Sequence, residues 1–343
     1  MTKAAGTSPA HPALDLAIEI LADLVAFPSV SLQPNDTIVS YIETRMRDLG
    51  MRCVRDAHED GQRFNLLASA GPQRPGGVLL SGHMDVVPAS PDGWTSDPFI
   101  LRRDDGRLHG RGAVDMKGFI AIVLASLPDI MEQADSLSMP LHVALSFDEE
   151  TGFFGASQLP AFFDSIGLRA EIAIIGEPTN MQPFVGHKGG MELTTVVTGT
   201  SGHASQPAGM VNAVYYAARL VDFMRSYADD LAAAPIEGSP FNPPHTSLSV
   251  GVIRGGEARN IIPDRCEIDW EIRAHPGDDP HQYLGRVTDF ITHGLVPEMR
   301  AIDPRAGIET HMLCDAPPLE ARPDGPAANL VARLWTNETP HVV

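Results

Sequence analysis

The sequence predicts an α/β fold, with a mixed, largely parallel sheet covered by helices and an inserted α+β domain. Three observations predict it. Between residues 12 and 177, short apolar runs of strand length alternate with segments of helical spacing. After Pro183 the runs become alternately apolar and polar. A last amphipathic segment, 325–335, reads again as a sheet-covering helix.

Each element follows in order. In 12–26, Leu14, Ile18, Leu21 and Val25 recur at helical spacing. A second helix covers about 37–49, with Ile38, Tyr41, Ile42 and Met46 as its apolar stripe and Gly50 at its end. The apolar runs 64–69, 77–83, 141–147 and 171–177 are strands, with helices predicted over 116–130 and 157–167. Continuous apolar runs of this kind suit a sheet covered on both faces and at least partly parallel.

In the second pattern, 192–199 is a strand with one wet face. An amphipathic helix over 212–227, strands over 246–256 and 266–275, a helix over about 280–293 and a strand over about 307–313 complete a β-α-β-β-α-β order. That is the split plan of a small α+β domain. The expected division is therefore a catalytic domain of residues 1–186 with 315–343, and an insert of residues 187–314.

Bulk properties bound the function. At 343 residues the chain is too long for one ordinary core, and 43% hydrophobic residues suffice for two. A net charge of −19 argues against nucleic acid or an anionic membrane as partner. Cys53, Cys266 and Cys314 have no disulfide, zinc-knuckle or redox spacing and read as free thiols. No stretch approaches the ~20 apolar residues of a membrane span. The first ten residues read as a frayed tail without the order of a secretory signal, so a cytoplasmic protein is expected.

Chemistry-bearing residues gather at strand ends. His83 closes one strand, Glu149 and Glu150 follow another, Glu177 follows a third, and Asp115 lies in a Gly-rich turn before a helix. In open α/β sheets ligands bind beyond the carboxyl ends of the strands, so parallel strands would bring these residues to one rim. Imidazole and oxygen ligands without thiolate suit Zn²⁺, Co²⁺ or Mn²⁺. An aspartate can bridge two ions. Neighbouring side chains at a strand end diverge, so one of Glu149 and Glu150 can bind metal while the other stays free as a general base. Asp85, two residues after His83, can accept the other ring N–H of that histidine.

The ordered motifs SGHMDVVP, GRGAVDMKG, DEETG, GEPT and SGHAS resemble the two-zinc aminoacylase/carboxypeptidase metallopeptidase family over about residues 12–343. The match is best to its acetylornithine deacetylase branch, with succinyl-diaminopimelate desuccinylase a near relative. The resemblance implies a zinc exopeptidase-like fold with a lid and dimerisation insert, and a homodimer formed through 187–314. It implies that His83, Asp115 and Glu177 hold one zinc or cobalt ion, and that Asp115 and Glu150 hold a second. It makes Glu149 the general base and Asp85 the residue that orients His83, and it implies a cis peptide between Asp115 and Met116. His203 of SGHAS would reach the partner subunit's site, its alternative being a turn histidine that caps the following helix. Asn260 and Arg273 become candidates for the substrate carboxylate, although Arg273 also reads as a structural ion pair.

The implied reaction is deacylation of an N-acyl amino acid, N-acetyl-L-ornithine foremost, in arginine biosynthesis. A desuccinylase or dipeptidase is the alternative within the family. In relatives a further strand, helix and metal-ligand histidine follow the segment resembling TNETPHVV, and His341 does not match that histidine. The expectation from this departure is an incomplete second metal site, with a catalytically impaired metal-binding dimer as the rival reading.

Overall fold

The computed structural model describes residues 12–90, 92–334 and 341–342. The residues read as an N-terminal tail, and most of the segment TNETPHVV, lie outside them. The chain divides into two compact units, Met1–Met181 and Gln182–Val343.

The first unit runs α1 (Pro12–Ala26), α2 (Asp36–Asp48), β1 (Arg52–Ala57), β2 (Phe64–Ala70), β3 (Val78–His83), β4 (Arg102–Asp104), β5 (Arg107–His109), α3 (Lys117–Met131), β6 (Leu141–Ser146), α4 (Phe154–Ser165) and β7 (Ile172–Ile175). Its main sheet has the order β1-β2-β6-β3-β7. β3 is parallel to both β6 and β7, while β1, β2 and β6 pair antiparallel in turn. The sheet is thus mixed, and the parallel part is the part that carries the predicted site.

The apolar runs are continuous because both faces are covered. Leu66, Ala68, Val143 and Leu145 join the core made with α1, α2 and α3. Leu67, Leu79 and Ala144 face the other way and pack with Leu159 of α4. Two pieces escaped the sequence reading. β1 carries Arg52, Arg55 and Asp56 and has no clean alternation. The β4–β5 hairpin turns on Asp105 and Gly106, both at positive φ, the Asp-Gly signal of a tight turn between strands of only three residues.

The second unit runs β8 (Phe184–Gly186), β9 (Gly190–Thr198), β10 (Gly202–His203), α5 (Ala213–Ala232), β11 (Ser247–Gly255), β12 (Ile261–Ile262), β13 (Arg265–Arg273), α6 (Pro280–Asp289), α7 (Val296–Ile302), β14 (Gly307–Ala316), α8 (Pro326–Leu334) and β15 (His341–Val342). Its antiparallel sheet, β11-β13-β9-β14, realises the β-α-β-β-α-β order. β13 buries every second residue, Cys266, Ile268, Trp270 and Ile272, against α5 and the helices after it. The helix expected over 280–293 continues through a π-helical turn, Phe290–Leu295, into α7. Gly294 and Pro297 lie within this stretch without ending it, and Ile291, Leu295 and Met299 keep the apolar face buried.

The boundary between the compact units falls at Met181, and residues 315–334 belong to the second unit. Local pairing accounts for this. β14 runs on to Ala316, His187 bridges Leu319, and β8 pairs parallel with β15.

Candidate metal centre

Strand register brings the predicted ligands together. In β3 and β6, His83 lies opposite Ser146, and Met84 N donates to Ser146 O at 2.9 Å. Glu149 and Glu150 therefore begin just past the rim on which His83 ends. β7 joins β3 on its other side, and Gly176 N donates to Ser81 O at 3.0 Å, which places Glu177 on the same rim. Asp115 arrives from the turn before α3. That turn needs glycine at Gly112, whose φ is +75° and where a Cβ would lie 2.5 Å from Val86 Cγ1. The Asp115–Met116 peptide is cis.

His83 is the hub. Its Nε2 lies 2.9 Å from Asp115 Oδ1, 3.8 Å from Glu149 Oε2 and 3.9 Å from Glu177 Oε1. Among the described residues, two groups have all their ligand atoms within 4.8 Å of one another: His83 with Glu149 and Glu177, and His83 with Asp115 and Glu150. All five residues converge, but they divide differently from the ligand sets the resemblance implies, since Glu149 itself falls within ligand distance. The His83 side chain is 1% exposed, whereas Asp115 and Glu177 are 49% and 40% exposed, so the cluster is rooted in the core and opens outward.

Asp85 does more than face His83. The ring Nδ1 is nearer the Asp85 carbonyl, at 3.0 Å, than its carboxylate, at 3.5 Å. The carboxylate accepts from Glu149 N at 3.0 Å, Glu150 N at 3.2 Å and Ser31 Oγ at 2.7 Å. Asp85 thus ties the histidine ligand to the glutamate turn. Ser31, Asp148 and buried Lys117 are neighbours that sequence reasoning missed. The Lys117 ammonium donates to Phe27 O at 2.7 Å and is fully enclosed. Burial pulls it down to about 7 against the opposing charge of Asp85.

The electrostatics are those of a cation site. Burial raises Glu149 to about 7; His83 opposes that rise, and the charges of Glu177 and Glu150 add to it. Burial, with neighbouring carboxylates, also raises Glu150 and Glu177. Burial alone would depress His83, but hydrogen bonds and charge from Asp85, Asp115 and Glu149 outweigh it and hold the ring up to about 10. One imidazole among four crowded carboxylates fits a divalent metal cation, which would relieve the repulsion that lifts these values.

A pH effect follows. Between pH 4.5 and about 7 the folded metal-free protein keeps a proton on Glu149 that the unfolded chain releases. Stability is therefore lost as pH rises through that window, by up to about 3 kcal/mol from this group. Glu150 and Glu177 act in the same direction. The melting temperature of the metal-free protein should fall from pH 5 to pH 7, and added zinc should raise it more at pH 7 than at pH 5, because the ion displaces protons. A zinc increment that is equal at both pH values would contradict this.

The remaining predicted residues lie in the second unit. β10 pairs with β12, which sets His203 opposite Ile261, and Asn260 O accepts from Ala204 N at 2.9 Å. His203 and Asn260 are thereby neighbours. The exposed His203 ring meets Ser205 Oγ at 2.7 Å. Arg273 stands at the far end of β13, eight residues beyond Arg265, about 26 Å along an extended strand. Its guanidinium pairs with Glu271, at 2.9 Å from Nε and 2.7 Å from Nη2.

Residues 79–336 match the sequence profile of Peptidase family M20/M25/M40. The chain is 35% identical over 330 residues to an acetylornithine deacetylase of Klebsiella pneumoniae (strain 342), covering 94% of this chain and 83% of that protein. Its fold is similar to that of an M20 family metallo-carboxypeptidase, Sso-CP2, from Sulfolobus solfataricus, with TM-score 0.73, 16% identity and coverage of 95% and 85% of the two chains. Human carnosine dipeptidase 1 is also similar, with TM-score 0.65, 19% identity and coverage of 96% and 84%.

Proposed function

The chain belongs to peptidase family M20/M25/M40, a family of metal-dependent hydrolases, and from that premise we propose that it deacylates an N-acyl amino acid, converting N-acetyl-L-ornithine to ornithine and acetate. The observation that carries this reading is the 35% identity to an acetylornithine deacetylase across 94% of the chain. The convergence of His83, Asp115, Glu149, Glu150 and Glu177 supports it chemically.

In this reading His83, Asp115, Glu150 and Glu177 hold zinc or cobalt. When bound, such an ion polarises a carbonyl and acidifies water. Glu149 removes the proton from the attacking water and returns it to the leaving amine, a task suited to a carboxylate poised near neutrality. Asp85 holds both the His83 ring and the Glu149–Glu150 amides in place. A homodimer through residues 187–314 would bring in His203 from the partner to donate to the oxyanion. Asn260 and Arg273 would hold the substrate carboxylate, which requires Arg273 to share or leave Glu271.

The test is turnover on a panel of N-acetyl-L-ornithine, N-succinyl-diaminopimelate and simple dipeptides, with zinc or cobalt added. N-acetyl-L-ornithine should give the highest kcat/KM. Preference for the succinyl compound or for a dipeptide would move the protein to another branch of the family. Firm metal binding with no turnover of any of them would favour a catalytically impaired dimer.

A further inference from the structure

Asp148 sits immediately before the two glutamates, is 1% exposed, and holds a left-handed backbone, with φ at +49°. Aspartate visits that region more readily than most residues, though seldom without support. Here the support comes from its own carboxylate. Leu32 N donates to Asp148 Oδ1 at 2.7 Å, and the Arg63 guanidinium pairs with Oδ2. Arg63 is held in turn by Asp60 Oδ2 at 2.7 Å and lies over the ring of buried Phe147, 5.7 Å from its centroid. A largely buried ion pair is seldom the most stable filling for such a space, because both ions must give up most of their water. Its place directly before Glu149 points to geometry rather than to stability.

The connections meet in one short segment. Ser31 Oγ donates to Asp85, which accepts from Glu149 N and Glu150 N, and the adjacent Leu32 N donates to Asp148. The 148–150 backbone is therefore gripped on both sides, by Asp85 at its amides and by Asp148 at its start. Without the second grip the chain could turn about Asp148 and swing the Glu149 carboxylate away from His83, 3.8 Å distant.

We infer that Asp148, clamped by Arg63 and the Leu32 amide, is a positioning residue that fixes the direction in which Glu149 presents its carboxylate to the His83 cluster. This rests on the reading of Glu149 as the general base.

The experiment compares Asp148→Asn, Arg63→Met, Arg63→Lys and Glu149→Gln with the unaltered full chain, loaded with zinc and assayed on the best substrate of the panel. Misplacement by about an ångström can cost on the order of 100-fold in rate. Asp148→Asn and Arg63→Met should lower kcat about 10- to 100-fold on that basis, with KM and zinc content little changed. Arg63→Lys, which keeps the charge, should recover part of the loss. In the metal-free proteins, hydrogen exchange should quicken in a peptide covering 147–153 and stay unchanged in α3.

An unchanged kcat with unchanged exchange overturns the inference. So does a loss shared equally by kcat, zinc content and exchange throughout the chain, which is the signature of a merely structural pair. If Asp148→Asn does not fold, the contrast between Arg63→Met and Arg63→Lys decides. An active Glu149→Gln protein overturns the base reading and this inference with it. An inactive Glu149→Gln beside an undiminished Asp148→Asn overturns only the inference.

Discussion

Glu149→Gln is expected to lower turnover about 100- to 10,000-fold, the range a positioned general base contributes, while zinc content stays near that of the unaltered protein. Glu150→Ala is expected to lose zinc as well as activity. The contrast has force because position alone does not separate the two residues. They are consecutive, both amides bond to Asp85, and each belongs to a group of potential ligands centred on His83. Electrostatics favours Glu149 as the base, since burial with three neighbouring carboxylates lifts it to about 7, where proton uptake and release are both accessible near neutral pH. Metal analysis by mass spectrometry beside steady-state kinetics checks the assignment. If Glu149→Gln strips the metal while Glu150→Ala keeps it, the two roles are exchanged.

The site was legible in the sequence to the extent that strand ends were. Runs such as Val78–His83 and Leu141–Ser146 are apolar throughout because the sheet is covered on both faces, so the polar residues that follow them mark the rim. His83, Glu149, Glu150 and Glu177 could be placed from that logic, and Asp115 from the glycine turn before a helix. What could not be read were contacts joining residues far apart in the chain. Asp85 meets the glutamate amides 64 and 65 residues away, and Arg63 meets Asp148 across 85. No local period encodes such pairs. The left-handed turn at Asp148 and the two-residue strands that set His203 beside Asn260 are likewise too short to carry a pattern. In the second unit the alternation of β9 gave the buried face, whereas the π-helical turn after α6 left no signal in apolar spacing.

His203→Ala should cost about 100- to 1,000-fold in kcat, the loss seen when one oxyanion donor is removed, with metal content unchanged. His203 is exposed, sits on a two-residue strand of the second unit, and makes its side-chain contact with Ser205. Nothing in its surroundings asks for an imidazole as packing, which leaves the functional reading or a local turn role. The two differ in a mixing experiment. If His203 serves the partner's metal centre, a His203→Ala chain has an intact Glu149 and a Glu149→Ala chain has an intact His203. A heterodimer of the two then contains one complete site and one doubly altered site. Random pairing in a twofold dimer makes half of the molecules heterodimers, so the mixture should regain about a quarter of the unaltered activity from two nearly inactive proteins. Size-exclusion chromatography with differently tagged chains would show that heterodimers have formed. If they have formed and activity does not return, His203 acts within its own chain or only in its own turn, and the cross-subunit site is ruled out.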